Sequence, residues 1–279
     1  MTPTKFKNVV WNHYHTHGRD MPWRITEHRS AKTVTPYCIL VSELMLQQTQ
    51  VPRVIPKYKE FISRFPTFKA LANAPTKDVL THWKGLGYNR RAINLKHAAE
   101  TVTTEHGGRL PRDEKMLTTL PGIGVYTARA VQAFAFNLPS VIIETNIRTV
   151  YTHHFFPSEA EDIDDNEVLP LIEKTLEAKN PREWYYALMD YGAHLKQSGV
   201  KLNTKSKHYT KQSPFKGSNR EARSKILSYI MQNNAVSVSA VARATKYPRE
   251  VVEKNCHAMA NEGLLEKDGR TYSVHTDQK

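Results

Sequence analysis

The chain has 279 residues, 39% of them hydrophobic, which is enough to bury a sizeable core. Forty Lys and Arg against 27 Asp and Glu give a net charge of +13, a balance that suits a polyanionic partner. No apolar run approaches the ~18 residues of a membrane span, and the two cysteines, Cys38 and Cys256, are too few and too far apart for a disulfide framework or a zinc knuckle.

A soluble intracellular protein of the cytoplasm or nucleoid, monomeric and with no membrane partner, is therefore expected, and no metal site is expected. The positive charge is uneven. Residues 196 to 279 carry a net +9 and the first 195 residues only +4.

Apolar positions at Phe6, Val9, Val10 and Tyr14 predict a helix over residues 5–17 that stops at Gly18. An extended polar segment follows, Gly18-Arg19-Asp20-Met21-Pro22-Trp23-Arg24, then a loop over 25–35. On this stretch alone Trp23 reads as a core plug and Arg24 as a surface charge. From Pro36 the pattern is helical again, with Ile39, Leu40, Leu44 and Met45 spaced for burial and Glu43 among them. A carboxylate in that position lies either on the helix surface or in a cleft. A dry cleft would raise its pKa and let it hold and donate a proton near neutral pH. Gln47, Gln48, Thr49 and Gln50 follow, side chains able to reach base edges in a groove or simply to be solvated.

Residues 51–106 read as a succession of short helices punctuated by proline, interrupted by Trp83-Lys84-Gly85-Leu86-Gly87-Tyr88-Asn89-Arg90-Arg91. That turn could present Tyr88 as a wedge into stacked bases with Arg90 and Arg91 on phosphates, or be a helix end with a packed tyrosine. An apolar helical run ends near Leu117, and Leu120-Pro121-Gly122-Ile123-Gly124-Val125-Tyr126-Thr127-Ala128 turns the chain into a new helix from Tyr126 to Phe136. This is a helix-hairpin-helix pattern. Its glycines allow close backbone approach and the second helix starts with free N–H groups, which makes Gly122, Gly124, Val125 and Thr127 candidates to hold a phosphate oxygen. The run Ser140-Val141-Ile142-Ile143 then delivers Glu144, followed by Thr145 and Asn146.

These segments together resemble the helix-hairpin-helix base-excision DNA glycosylases, and within them the MutY-type adenine-specific mismatch enzymes. The likeness is carried by Met21-Pro22-Trp23-Arg24, Ser42-Glu43-Leu44-Met45-Leu46-Gln47-Gln48-Thr49-Gln50-Val51, Gly85-Leu86-Gly87-Tyr88, Leu120 to Ala128, and Asn146 with the helix behind it, over roughly residues 5–195. It implies an all-α two-lobed fold, with residues 1–30 and 141–195 in one lobe and 31–140 in a helical barrel lobe whose hairpin spans 117–136. The implied partner is double-stranded DNA containing a mispaired or damaged base, the target nucleotide being flipped out of the stack. By the same resemblance Glu43 protonates the departing adenine, Arg24 and Trp23 help hold the base, and the carboxylate of Glu144 offsets charge developing on the deoxyribose. Asn146 orients water or the sugar, while Gln48 and Tyr88 fill and wedge the duplex. Tyr126 stands where strand-cleaving members carry a Schiff-base lysine, and a phenol cannot do that chemistry, so a monofunctional enzyme is implied.

Three departures qualify the resemblance. Glu144 stands where the family has Asp. Lys196 stands at the first of the family's cluster cysteines, so the iron–sulfur cluster is expected to be absent and no cofactor is expected. Residues 196–218 read instead as a basic loop or linker, and the chain is too short for the family's 8-oxoguanine-inspecting domain. In its place residues 219–279 read as three helices and a hairpin, a small winged-helix (α+β) domain. A thymine or uracil mismatch glycosylase, and a non-catalytic DNA-binding relative, remain open as rivals.

Overall fold

A computed structural model describes residues 1–26, 29–30, 32–200 and 202–275. Parts of the expected loop at 25–35, and Lys201 in the basic run, lie outside the described residues.

In chain order the helices are α1 (Pro3–His17), α2 (Pro36–Leu46), α3 (Val51–Arg64), α4 (Phe68–Ala72), α5 (Thr76–Trp83), α6 (Arg90–Glu105), α7 (Glu114–Thr119), α8 (Val125–Phe136), α9 (Thr145–Phe155), α10 (Asp165–Thr175), α11 (Pro181–Gln197), α12 (Asn219–Asn233), α13 (Val238–Thr245) and α14 (Arg249–Asn261). Three short strands, β1 (Val236–Ser237), β2 (Leu265–Asp268) and β3 (Thr271–Val274), complete the regular structure. The chain divides into two compact units, one of residues 1–43, 111–119 and 123–211, the other of 44–110, 120–122 and 212–279. This division differs from the one drawn from sequence. Helix α8 groups with the first unit, and the C-terminal residues group with α3 to α6 instead of standing alone.

In the first unit α1, α9 and α11 share an aromatic core. Pro181 sits in the first turn of α11, where its missing N–H is harmless. Trp184, Tyr185, Leu188 and Tyr191 then recur at helical spacing and are buried. Phe6 of α1 is enclosed, its ring 5.0 Å from Tyr151 of α9 and 6.1 Å from Trp184. Burying each such ring contributes about 1.5–3 kcal/mol, so Phe6→Ala would loosen three helices at once. Gly192 sets how closely α11 approaches α9: a Cβ there would lie 2.3 Å from the Asn146 carbonyl oxygen.

The basic run after α11 is docked on this unit over part of its length. Ile163 and Lys205 to Lys207 exchange backbone hydrogen bonds, and the Lys205 ammonium donates to the Ser158 and Ala160 carbonyls. Lys207 pairs with Asp164 at 3.2 Å.

In the second unit the Gly85 to Asn89 turn is built around Arg91. Its guanidinium is buried and donates to the carbonyls of Leu44, Met45, Gln47, Leu86 and Gly87 and to the Thr49 hydroxyl. Both approaching segments thus converge on one cation. The C-terminal residues supply α12, α13 and α14 and an antiparallel sheet of order β1-β3-β2. Gly269 and Arg270 form the two-residue turn between β2 and β3, with Gly269 at φ +55°, where a side chain would be strained. The third strand, β1, was not expected. Two residues leave no periodic signal.

Candidate active site and nucleic-acid interface

The first unit gathers Glu43, Tyr126, Glu144 and Asn146, the four candidate catalytic residues. Glu43 reaches the site from α2, amid the buried Ile39, Leu40 and Leu44. Removal from water, reinforced by the negative charge of Glu144, pushes its pKa up to about 8. Near neutral pH it is therefore a carboxylic acid with a proton to give.

Glu144 is the N-cap of α9. One carboxylate oxygen accepts from the backbone N–H groups of Asn146 at 2.7 Å and Ile147 at 2.9 Å, and the other from the Asn146 side-chain amide at 3.2 Å. The extra methylene of Glu over Asp is taken up by folding the side chain back onto the helix start. There the unpaired N–H groups and the helix dipole favour a negative charge.

Tyr126 lies in the first turn of α8. Its ring is half-exposed, but removal of the hydroxyl from water and the charges of Glu43 and Glu144 hold its pKa well above the ordinary phenol value, so it stays neutral. Asn146 also accepts a hydrogen bond from the ammonium of Lys196 at 2.7 Å. Lys196 was not expected in the site. Fifty positions separate it from Asn146, and no local pattern links them.

Arg24 is placed inside the first unit. Its guanidinium donates to both carboxylate oxygens of Asp190, at 2.8 and 2.7 Å, and to the Arg19 carbonyl at 2.8 Å, and it stacks 4.5 Å over the Tyr186 ring. Burial would raise the Asp190 carboxyl, but the hydrogen bonds and charge of Arg24, with those of Arg19, hold it below its usual value. Arg24 thus fixes α11 against the N-terminal segment, and Trp23 beside it is buried as well. Both residues, expected to help hold the base, are thus part of the site's frame.

At the hairpin, Gly122 has φ +76°, and a Cβ on it would lie 2.6 Å from that of Asn94, so the fold itself requires glycine there. Gly124 differs. Its φ of −86° suits any residue and nothing lies within 4 Å of its missing side chain. It leaves the first N–H groups of α8 open to an outside ligand, flanked by Val125, which is 52% exposed. Thr127 points the other way. Its side chain, expected among the contacts to DNA, is buried.

In the second unit Gln48 and Tyr88 both adopt positive φ, +53° and +46°, which costs each a strained backbone at an exposed position. Gln212 donates to Gln48 at 3.3 Å and also to the Tyr88 hydroxyl. Arg90 is exposed, and Gln47 and Thr49 are half-buried in the turn after α2. Around the Arg91 guanidinium, expected on phosphates, stand backbone carbonyls. These residues line part of a cavity of about 1000 Å³ whose other wall includes Phe215, Arg220 and Met231.

The iron–sulfur cluster of the resembling enzymes finds no fitting donors. Both cysteines are buried singly in their helices, and Lys196, a donor of protons and not of electron pairs, is engaged with Asn146.

The family described as "HhH-GPD superfamily base excision DNA repair protein" matches residues 41–176. An adenine DNA glycosylase of Buchnera aphidicola subsp. Baizongia pistaciae is 37% identical over 69% of this chain and 53% of its own length. One from Mycobacterium tuberculosis is 40% identical over 66% of this chain and 59% of its own. The chain thus spans little more than half the length of these curated relatives. A solved thermostable thymine-DNA glycosylase is 30% identical, with a TM-score of 0.60 over 68% of this chain and 86% of that one. Endonuclease III bound to DNA, at 18% identity and a TM-score of 0.57, shares the fold.

Proposed function

Because the chain belongs to the HhH-GPD superfamily of base excision DNA repair proteins, we propose that it is a monofunctional DNA N-glycosylase that releases a mispaired adenine, opposite 8-oxoguanine or guanine. The observation that carries this reading is the paired state of Glu43 and Glu144. Glu43 is held protonated and passes its proton to the leaving base, whose departure leaves positive charge on the deoxyribose. The Glu144 carboxylate offsets that charge, and water completes the hydrolysis with Asn146 orienting the sugar or the nucleophile. Neutral Tyr126 offers no amine for a Schiff base.

Duplex DNA is the partner, gripped at a backbone phosphate by the open N–H groups around Gly124 and read near the target by Gln48 and Tyr88. The surplus of positive charge supports this reading, and no described helix is long and apolar enough to cross a membrane. We read α12 to α14 with the three-stranded sheet as a winged helix that adds to the contact with DNA, in a protein acting as a soluble intracellular monomer.

A second reading, release of thymine or uracil from a mismatch with guanine, draws on the 30% identity to the thymine-DNA glycosylase. One assay separates the two. The protein is incubated with duplexes containing A:8-oxoguanine, A:G, T:G and U:G, and alkali then reveals abasic sites as strand breaks. Breaks at adenine support the first reading, breaks at thymine or uracil the second, and none at all would leave a DNA-binding relative without activity.

A further inference from the structure

We infer that Lys196 is a positioning residue for the site, holding Asn146 in the one orientation that lets it hydrogen-bond the carboxylate of Glu144. The inference rests on the glycosylase reading and concerns residues to which that reading gave no common role.

The chain of contacts is Lys196 Nζ to Asn146 Oδ1 at 2.7 Å, then Asn146 Nδ2 to Glu144 Oε2 at 3.2 Å. Its chemistry admits one arrangement. An ammonium only donates and a carboxylate only accepts, so an amide between them must turn its oxygen to the lysine and its NH₂ to the glutamate. Without Lys196 the amide keeps its 3.2 Å contact with Glu144 but loses the charged donor that anchors its oxygen, and it is freer to rotate away from the carboxylate. Helix α11 fixes the geometry from a second direction. Gly192, one turn before Lys196, lies against the Asn146 backbone with no room for a Cβ. Residues four apart on α11 thus hold the main chain and the side chain of the same asparagine.

Lys196 is not an ordinary surface charge. It is half-buried; desolvation lowers its pKa, the neighbouring charge of Glu144 opposes that fall, and Arg148 adds to it. Arg148 itself is held in a paired contact with Asp165, both bonds 2.7 Å. Lys196 is thereby left to answer the carboxylate at the head of α9.

The test uses the full chain and single-turnover base release from its best duplex, with binding measured on a duplex carrying a non-cleavable 2′-fluoro nucleotide at the target. Lys196→Met should slow release roughly 10–100-fold, the range expected when a reacting group is slightly misplaced, with binding unchanged within about twofold. Lys196→Arg, which keeps a donor, should recover most of the rate. In an Asn146→Ala background the lysine change should cost less than about twofold more, since the contact through which it acts is already gone. A native rate for Lys196→Met, or an unreduced effect in the Asn146→Ala background, would overturn the proposal. A second readout stands apart from activity. The Asn146 side-chain amide resonances, assigned with Asn146→Ala, should move or broaden in Lys196→Met, and unchanged resonances would overturn the proposal even if the protein released no base from any duplex.

Discussion

The charge of Glu144 reinforces burial in keeping Glu43 protonated, so the residue that caps α9 also sets the state of the acid on α2. Glu43 sits at a pKa of about 8 while the Glu144 side chain accepts from the N–H groups that open α9. This coupling makes several outcomes measurable.

Base release should be level below pH 8 and fall as pH rises through it, since only protonated Glu43 can give its proton to the leaving base. In Glu144→Gln the residual activity should fall at a lower pH, because the charge that helps raise Glu43 is gone. A limb that stays in place in that variant would uncouple the two residues.

Glu43 also carries a cost to stability. In the unfolded chain its carboxyl ionises near 4.5, whereas in the folded chain it holds its proton to about 8. Below 4.5 both states are protonated and nothing is lost. Between the two values the unfolded state alone gives up its proton, so stability falls with rising pH and the loss is complete above 8. Glu43→Gln should accordingly be more stable than the natural chain at pH 8 by up to a few kcal/mol, and equal to it near pH 4.5. Melting temperatures at the two pH values check this, and an equal difference at both would show that Glu43 is not held protonated.

Because the Glu144 side chain folds back to cap α9, its substitutions separate a working carboxylate from a degraded one. Glu144→Gln should remove most single-turnover activity, and Glu144→Asp should lower it, since the shorter chain cannot both cap the helix and keep its place. A rate for Glu144→Asp above that of the natural chain would mark Glu144 as a weakened form of the family's aspartate.

Arg91→Met should destabilise the fold by about 3 kcal/mol, as it removes the guanidinium's bonds to the carbonyls of Leu44, Met45 and Gln47 and leaves those of Leu86 and Gly87 with only their bonds from Thr49 and Trp83. The midpoint of urea unfolding measures it. An unchanged midpoint with weakened DNA binding would return Arg91 to the phosphates.

Much of the fold and part of the site were legible in the sequence because their signals are local. The end of α1 at Gly18, the glycine-rich hairpin, and the helices and hairpin of the C-terminal residues all follow from spacing and turn chemistry within a few positions. Glu43 could be read as a candidate acid because it interrupts an apolar helical face. What was missed depends on partners far away in the chain. Arg91 looks like a phosphate contact until five carbonyls are folded around it, and Thr127 looks like a hairpin contact until α8 turns it inward. Lys196 and Gln212 reach across 50 and 164 positions to Asn146 and Gln48, distances that no pattern in a single sequence spans.

The central claim, that Glu43 is the acid that releases the base, is tested most directly by single-turnover base release from an A:8-oxoguanine or A:G duplex by the natural chain and by Glu43→Gln. An amide of nearly the same shape keeps the hydrogen bond but has no proton to pass, and general acid catalysis is worth about 10²–10⁴-fold. The natural chain should leave an alkali-labile abasic site at the adenine, and Glu43→Gln should leave almost none while binding the duplex as tightly. A variant that releases the base at the native rate would contradict the account.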